Sequence, residues 1–487
     1  MSGYSEGGAS RTRPALKSWF PRHLSAKSDI EDNLKTLRER AHDLSINSSL
    51  GSAVIETFTS GVIGSGLRVF PKVKAEIIGC DAAQARVLNQ RIKREFDLWS
   101  SEPLNCDFLR RNNFYELQQI LFRCALIDGD AFVLFRRRIP TAYNPYSLRL
   151  QAVDALRVSN PMLSGELGNN VEMLRGNHRI INGIELNRDG CLEALWIANR
   201  LWNEPRVSAE PIKWQRVRFF GRDTGCKNVL QICKDSRADQ CRGVPILAPV
   251  IEALKQLARF SEAELGAAIV RSFFSVFFTQ AERDLTFAQI TGTATEESDT
   301  ADLVKEFKLD SPSVTSLPAG VDVKFLDNNK AQSSFAEFTT TFIKNIAAAV
   351  NLPVEVLLKT FNSSYSASRA ALLQAETEFR NRREAFITDF CKPVYEMFIE
   401  EAVALGRIKL PNFDEPIKRA AYLSAVWMAE RSAVLDELKI AQASVLKLEH
   451  GLTTYERELA EQGLDFEDTC QQLAMEKKIL QGIIQPN

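Results

Sequence analysis

The spacing of apolar residues divides the first half of the chain into predicted helices followed by strands. Residues 29–58 have helical spacing, and further helices are predicted from Ala82 to Trp99 and from Phe108 to Ile127. Short alternating segments then succeed one another across residues 131–234, separated by Asn-Gly and Asp-Gly turns. This pattern predicts a mixed α/β domain that contains an antiparallel meander.

A second group of elements places β structure between two helices. One helix is predicted from about Pro245 to Phe274, and another contains an apolar stripe across residues 335–350. Between them lie a strand at 275–279, a charged helix near Glu296 to Phe307 and a hairpin-like segment at 317–327. The pattern therefore predicts an α/β insertion between two helices.

The longest uninterrupted pattern follows a short polar loop. From Tyr365 to Leu405 the sequence contains almost no helix breakers, and about forty helical residues would extend roughly 60 Å. Pro393 should kink this helix because it removes a backbone donor. One face carries Leu372, Ala375, Phe379, Phe386, Phe390 and Val394. A helix too long for the core of a small domain indicates an assembly in which it spans subunits or lines an axis.

Charge pairs and polar composition describe the rest of the C-terminal third. Glu376 with Arg380, and Glu378 with Arg382, have the spacing of exposed helical ion pairs. From Pro416 onward the composition is polar and predicts helices, with breaks at residues 449–451 and at Gly463.

Charge constrains the partners that the chain can bind. The 487 residues suggest about three domains. Apolar residues make up 45% and charged residues 25%, which is ordinary for a globular protein. The 61 Lys and Arg are balanced by 62 Asp and Glu, so the basic excess of a tight DNA-binding protein is missing. Either DNA is not a partner, or it must slide past without adhering.

Cysteine, histidine and hydropathy patterns argue against metal sites and membrane segments. Nine cysteines without a CxxC motif and four scattered histidines do not predict a zinc site, and they suit free thiols in a reducing cytoplasm. The apolar stretch from Gly266 to Thr279 is interrupted by Arg271 and is too short to span a bilayer. No signal peptide is recognisable, and residues 1–27 form a basic tail that we expect to be disordered.

Two motifs invite a catalytic interpretation and are better explained as turns. The segment Gly61-Val62-Ile63-Gly64-Ser65-Gly66 lacks the Lys and Ser/Thr that a phosphate-binding loop needs, since Leu67 and Arg68 follow it. Asp128-Gly129-Asp130 would suit a metal or an acid–base pair, but no further carboxylates lie at ligand spacing nearby. We therefore expect no enzyme activity, no cofactor and no metal.

The loop from Lys359 to Tyr365 has two possible roles. It is either a helix–helix connector with Ser364 or Ser366 as N-cap, or a projecting loop. In the second case Lys359, Asn362 and the hydroxyl groups would contact phosphates weakly. The residues alone leave both roles open.

Several blocks in a fixed order, between about Leu37 and Met475, carry a resemblance to a known family. They are residues 46–69, 127–132, 150–161, 181–190, 240–250, 351–358, 365–372 and 450–468. The residues at motif positions include Asn47, Gly64, Gly66, Arg68, Gly183, Ile184, Glu185, Gly190, Gln240, Arg242, Gly243, Pro245 and Leu247. Leu435-Asp436-Glu437 departs from the Asp-Pro that family members commonly have there. The ordered set resembles the portal proteins of tailed bacteriophages, in the lambda-type family.

The resemblance implies an α+β, mainly helical fold with an α/β wing, a two-helix stem, an inserted α/β clip, a long spine helix and a helical crown. The implied divisions are a tail (1–27), wing (28–241), stem helix (242–280), clip (281–328), second stem helix (329–353), channel loop (354–366), spine helix (367–411) and crown (412–487).

The resemblance also implies function and partners. About twelve copies would form a ring at one capsid vertex, with closed rotational symmetry. The ring would nucleate capsid assembly together with the major capsid and scaffold proteins, dock the terminase large subunit, admit double-stranded DNA without sequence specificity, and later hold head-completion proteins. The runner-up is another ring-forming or scaffolding virion protein without a conduit role, and a nucleotide- or metal-dependent enzyme comes third.

Two sets of site residues follow from the same resemblance. The loop that lines the DNA channel would contain Lys359, Thr360, Phe361, Asn362, Ser363, Ser364 and Tyr365. Terminase docking is assigned to Glu296, Glu297 and Asp299 in the implied clip. The protein would be located in the virion, and in the host cytoplasm during assembly.

Overall fold

The computed structural model forms two compact units. It describes residues 10, 13–161, 172–201, 211–272, 276–280, 321–325, 331–361, 364–429, 437–462, 464 and 466–484. The first unit comprises residues 1–254 and 344–487, and the second comprises residues 255–343. Within the described ranges, no helix combines the length and the apolar character needed to cross a membrane.

Helices are the commonest elements, and in chain order those of the described residues are α1 (Leu34–Asn47), α2 (Ser49–Val62), α3 (Ala75–Ile78), α4 (Ala82–Ser100), α5 (Pro103–Cys106), α6 (Phe114–Asp128), α7 (Ile251–Ser272), α8 (Ala331–Ala349), α9 (Val354–Leu358), α10 (Tyr365–Phe386), α11 (Lys392–Ala404), α12 (Pro416–Tyr422), α13 (Glu437–Glu449), α14 (Tyr455–Glu461) and α15 (Phe466–Ile484). Two π-helical turns, Lys27–Glu31 and Ile387–Cys391, and two 3-10 turns, Ala155–Arg157 and Ala248–Val250, complete the helical structure of these residues. The mixed α/β character expected from the sequence is confirmed.

The described strands are β1 (Arg68–Pro71), β2 (Asp130–Arg137), β3 (Leu148–Val153), β4 (Glu172–Arg175), β5 (His178–Ile181), β6 (Ile184–Leu186), β7 (Leu192–Ala198), β8 (Trp214–Arg218), β9 (Val229–Cys233), β10 (Val276–Gln280), β11 (Val321–Phe325) and β12 (Ala425–Met428). They form a three-stranded sheet in the order β3-β2-β9, a five-stranded sheet in the order β4-β5-β6-β7-β8, and the pairs β1-β12 and β10-β11.

The five-stranded sheet is the antiparallel meander predicted from the sequence. Each of its strands pairs with the next along the chain. The turn between β5 and β6 contains Asn182 and Gly183, both at positive φ, as the Asn-Gly signal predicts. Gly190 in the following Asp-Gly turn also has positive φ. Turn chemistry that is local in sequence thus set the register of these strands.

Two apolar clusters hold the first unit together. One lies between the three-stranded and five-stranded sheets and includes Phe132, Ile184 and Leu195. The other is aromatic, and its buried members are Phe96, Trp99, Phe114, Tyr146, Phe390, Tyr395 and Phe398. Edge-to-face contacts such as Phe96 with Phe398, at 5.2 Å between ring centroids, add to the apolar burial.

Two helix boundaries near the N-terminus differ from the predicted ones. Residues 29–58 are not one helix, because Ser48 is extended and its side chain caps α2 at Gly51. The helix expected from Phe108 begins only at Phe114. Asp107 explains this difference, since its carboxylate accepts backbone N–H groups of Leu109, Arg111 and Asn112 and holds that segment in an irregular loop.

The long helical run extends from Tyr365 to Ala404 and is irregular near Pro393. A π-helical turn at Ile387–Cys391 separates α10 from α11, and Pro393 lies in the first turn of α11. Proline lacks the N–H that a regular α-helix would use, so the interruption lies where the sequence predicts it.

Most of the predicted apolar face of the run is buried. Leu372 is an exception, because it remains 37% exposed.

The predicted ion pairs of α10 are only partly correct. Glu378 pairs with Arg382 at 2.7 Å, as predicted, but both side chains are largely buried rather than exposed. Glu376 pairs with Arg383 at 3.3 Å instead of with Arg380. Arg383 is already oriented by two carbonyl groups of α2, so it lies within reach of Glu376.

The C-terminal third contains a strand that the sequence did not predict. Ala425–Met428 forms β12, which pairs with Arg68–Pro71. The polar, helical composition from Pro416 onward gave no sign of this pairing, because the partner strand lies more than three hundred residues earlier in the chain.

The second unit contains the expected helix, strand and helix. Within it, the ring of Phe260 on α7 contacts Phe335 and Phe338 on α8, with the centroids of Phe260 and Phe338 4.6 Å apart. Strand β11 pairs with β10 rather than with a partner inside the hairpin-like segment. The predicted charged helix near Glu296 to Phe307 lies outside the described residues.

Candidate functional site

The candidate loop follows a single short helix. Helix α9 begins after Pro353 and ends at Lys359, which has a left-handed conformation with φ 54°. The N–H of Thr360 donates to the carbonyl of Glu355 at 3.0 Å and closes the last turn. Leu357 is buried, whereas Lys359 and Thr360 are exposed. The chain therefore leaves the core directly after Leu357.

The loop exposes two aromatic side chains beside its polar ones. Phe361 is 45% exposed and Tyr365 is 52% exposed. Ser364 caps α10, since its hydroxyl accepts the N–H of Ala367 at 3.4 Å, which confirms one of the two predicted N-caps. Asn362 and Ser363 lie outside the described residues. An N-cap at Ser364 is compatible with both the connector role and the projecting role, so a functional test has to distinguish them.

The helix that leaves the loop is anchored firmly to α2. A Cβ atom added at Gly61 would lie only 2.5 Å from the ring of Phe379, so the two helices approach closely at this glycine. The guanidinium group of Arg383 donates to the carbonyls of Val62 and Gly61, which end α2. The Phe58 ring packs edge-to-face on Phe379 at 5.8 Å. The C-terminal half of α10 is thus held against α2.

The glycine-rich segment at residues 61–66 is a turn and not a phosphate-binding loop. It follows a helix and leads into a strand, the reverse of the order that phosphate binding requires. Gly64 and Gly66 have φ values of 58° and 120°. An added Cβ at Gly66 would meet Tyr115 at 2.6 Å, so this position needs glycine for both conformation and space.

The second candidate, Asp128-Gly129-Asp130, is a turn at the centre of a buried ion cluster. The carboxylate of Asp130 accepts from Arg38 Nη2 at 2.8 Å and from Arg242 Nε at 2.6 Å. Arg242 is fully buried and also donates to three backbone carbonyls. The predicted turn is correct, but both carboxylates serve the fold. The described residues contain no group of three acidic, Cys or His side chains that could hold a metal ion.

The buried arginines and carboxylates of this cluster stabilise each other's charged forms. Burial alone would raise the pKa of Asp130, but the guanidinium groups of Arg242 and Arg38 outweigh it and hold that pKa below its usual range. Glu31, also buried, accepts the backbone N–H groups of Cys241 and Arg242. Arg38 and Arg242 therefore face three carboxylates, those of Glu31, Asp128 and Asp130, so no buried guanidinium group lacks a counter-charge.

The cluster fixes the path of the chain toward α7. Gly243 lies against Gly129 so closely that an added Cβ would be 1.9 Å from the carbonyl oxygen of Gly129. The N–H of Ile246 donates to the carbonyl of Leu126 at 2.9 Å. The Arg-Gly pair at residues 242–243 is thus a structural junction between β2 and the segment that leads into α7.

Sequence reasoning singled out Asp130 and Arg242 but missed Arg38 and Glu31. A signal was present, because Arg38 falls on the same helical stripe as Leu34 and Ala41, one turn from each. A charged residue on an apolar stripe indicates a buried partner of opposite charge.

His42 makes a pH-dependent contact at the edge of the cluster. Its Nε2 lies 2.6 Å from Asp128 Oδ1, and this hydrogen bond raises the pKa of His42. The contact should therefore stabilise the fold fully below about pH 6.5, the usual pKa of histidine, and lose its effect as pH rises through the higher folded-state value.

We expect the unfolding free energy of the wild-type protein to exceed that of His42→Gln by up to about 1 kcal/mol at pH 6, and by less at pH 9. Urea unfolding of both proteins at the two pH values measures the difference. An equal difference at both pH values would contradict the role of His42 protonation.

Known proteins are similar to this chain over most of its length. The family described as phage portal protein, lambda family, has a sequence model that matches residues 12–383 of this chain. Portal protein B of Escherichia phage lambda is 22% identical over 98% of this chain and 89% of its own length. The portal protein of Escherichia phage N15 is 22% identical over 98% of this chain and 90% of its own length.

The solved structures with some similarity to this chain include chains of gene transfer agent (GTA) particles. A chain of the virion of the native GTA particle covers 92% of this chain and 94% of its own length, with 12% identity and a TM-score of 0.42. A chain of the neck of the native GTA particle, computed with C12 symmetry, covers 89% of this chain and 93% of its own length, with the same TM-score. Because the family match spans most of the sequence, the chain belongs to the lambda family of phage portal proteins.

Proposed function

We propose that about twelve copies of this chain form a closed ring at one capsid vertex, and that the ring is the channel through which DNA enters and leaves. The match to the portal family over residues 12–383 is the observation that carries this proposal. The net charge of −1 supports it, because a strongly basic bore would retain a polymer with one charge per ~1.7 Å of duplex.

Family membership makes the chain a structural protein of the virion and not an enzyme. The energy for DNA movement would come from a separate motor. We propose the terminase large subunit as that motor, and the major capsid, scaffold and head-completion proteins as further partners. Assembly would take place in the host cytoplasm.

The division into wing (28–241), stem (242–280 and 329–353), clip (281–328), spine helix (367–411) and crown (412–487) is also proposed. The two sheets that strands β2 to β9 form support an α/β wing. The helices α7 and α8, which precede and follow residues 281–328 in the chain, support a stem with an insertion. The pairing of β12 with β1 ties residues 425–428 to the region of the wing.

The ring can be tested directly on purified protein. Class-averaged electron micrographs should show rings with a central hole about as wide as a DNA duplex, and native mass spectrometry should give a mass of about twelve chains. Solid rings without a hole would favour the scaffolding alternative. Only monomers or dimers at micromolar concentration would contradict both.

The acidic side chains of the proposed clip are expected to dock the motor. Lysine in place of Glu296, Glu297 and Asp299 should weaken terminase binding and DNA packaging while rings still form, since the change reverses a local charge. The matched control reverses three exposed acids of the first unit, Glu39, Glu76 and Glu102. Normal packaging by the clip variant would exclude these residues as the docking surface.

A further inference from the structure

Arginine side chains are concentrated on one face of the three-stranded sheet. Arg136 on β2 lies directly opposite Arg149 on β3. Arg138 follows two residues after Arg136, and alternate residues of an extended chain point to the same side. Like charges placed directly opposite each other destabilise a strand pair unless something compensates them.

The loop at residues 107–111 brings further arginines to this face. The N–H of Phe108 donates to the carbonyl of Leu150 at 2.8 Å, so the loop runs beside β3. The guanidinium carbon of Arg138 lies 4.6 Å from the centre of the Phe108 ring, and that of Arg136 lies 5.9 Å from it. Arg110 and Arg111 follow in the loop, and both are exposed.

The nearby carboxylates are occupied elsewhere. Asp107 accepts three backbone N–H groups of its own loop. Glu401 receives Arg137 and the backbone N–H groups of Ser147 and Leu148. Within the described chain, the side chains of Arg110 and Arg111 have no hydrogen bond and no ion pair. The five arginines of this face therefore outnumber the two carboxylates beside them in the described part of the subunit.

Burial intensifies the field of this face. Arg149 is only 3% exposed, and burial lowers its pKa. The positive charges of Arg138 and Arg110 lower this pKa further, whereas the negative charge of Glu401 raises it. The Nε atoms of Arg138 and Arg149 lack hydrogen-bond partners among the described residues. Charges in such surroundings are weakly screened and attract an anion more strongly than free surface arginines do.

Large apolar side chains border the arginines. Ile139 is 90% exposed and Tyr143 96% exposed in the loop between β2 and β3. Leu104 and Leu109 are 58% and 54% exposed, and Asn144 donates to the carbonyl of Leu104 at 2.9 Å, which joins the two loops. Arginine, tyrosine and exposed aliphatic groups together are typical of protein interfaces. A phosphodiester backbone would leave the aliphatic groups uncovered.

We propose that this face, formed by Arg110, Arg111, Arg136, Arg138, Ile139 and Tyr143, binds an acidic segment of a different polypeptide that also carries apolar side chains. The carboxylates of the partner would accept hydrogen bonds from the unpaired guanidinium groups of Arg110 and Arg111. Its apolar side chains would cover Ile139 and Tyr143. The proposal goes beyond the DNA channel and does not depend on ring formation.

The test uses the full chain and fluorescence anisotropy. The probes are a labelled peptide of alternating Glu and Leu, the same peptide with Gln in place of Glu, and a short labelled DNA duplex. We expect the Glu peptide to bind, with an affinity that falls as salt is raised, and both other probes to bind at least about tenfold more weakly.

The variant Arg110→Gly with Arg111→Ala should weaken Glu-peptide binding at least about tenfold. Its fold should persist, because Arg110 has a φ of 61°, which glycine adopts readily, and both side chains are exposed. Arg188→Ala, an exposed arginine in a turn of the same unit, is the control and should bind as the wild type does.

Three outcomes would overturn the proposal. Tighter binding of the DNA duplex than of the Glu peptide would make this face a nucleic-acid surface. Glu-peptide binding that is absent, or unchanged in the Arg110→Gly, Arg111→Ala variant, would show that the arginines do not bind acidic polypeptide. Loss of subunit association in that variant, by native mass spectrometry, would make the occupant a second copy of this chain.

Discussion

Asp130→Asn is expected to destabilise the first unit by about 3–5 kcal/mol, the usual effect of removing one partner from a buried ion pair. The substitution keeps the shape of the side chain and removes its charge. Arg38 and Arg242, both buried, would then have only Glu31 and Asp128 as nearby carboxylates among the described residues. Urea unfolding at a single protein concentration measures the loss, because association would otherwise change the midpoint.

The control for this variant is Asp189→Asn, an exposed aspartate in a turn of the same unit, where we expect a change within about 0.5 kcal/mol. A second control tests the charge balance. Arg38→Met combined with Asp130→Asn removes both members of one ion pair, so the double variant should lose less stability than the two single losses added together. If Asp130→Asn is as stable as the wild type, the cluster does not depend on its charge.

The loop at residues 359–365 should affect DNA retention without affecting assembly. Replacing residues 361–364 by two glycines removes Phe361 and shortens the segment that we propose to line the channel. Particle assembly should remain near normal, because the contacts that hold α10 against α2, at Gly61, Phe379 and Arg383, lie away from the loop and are left in place. Packaged DNA should instead leak or arrive incomplete, since the variant would lose the weak phosphate contacts that we propose for this loop and that would slow backward slippage.

Nuclease-protected DNA per particle measures this effect. The matched control replaces residues 222–225, another exposed loop of the first unit, by two glycines and should package normally. Lys359→Ala separates charge from shape, because it removes the positive charge that each subunit's loop would contribute to the proposed ring and leaves the loop length intact. Full, stable heads at wild-type frequency from the shortened variant would make the loop a connector only.

Local signals explain why much of the fold was predictable. The Asn-Gly and Asp-Gly turns and the alternation of the strands act within a few residues, so the presence of an antiparallel meander was correctly predicted, but its five strands and their separation from the three-stranded sheet were not. Ser364 was recognised as a possible N-cap for the same reason. The helical run after it was visible because it contains almost no breakers, and Pro393 marked the place of its irregularity.

Contacts between distant segments explain the errors. Helix α6 begins late because Asp107 captures the backbone before it. Strand β12 forms because β1 supplies its hydrogen-bond partners. Glu376 pairs with Arg383 because carbonyl groups of α2 orient that arginine. In each case, a partner that is remote or that competes with the local preference decided the conformation.

The sequence by itself determined the order of helices and strands, the near-zero charge and the family, because ordered motifs and local periodicity are properties of the chain. Only the tertiary structure decided the role of Asp130, since its charge has meaning only with Arg38 and Arg242 beside it. The gathering of arginines around Phe108 was invisible in the sequence for the same reason. Whether a charge is balanced depends on neighbours in space, and the fold brings those neighbours from distant parts of the chain.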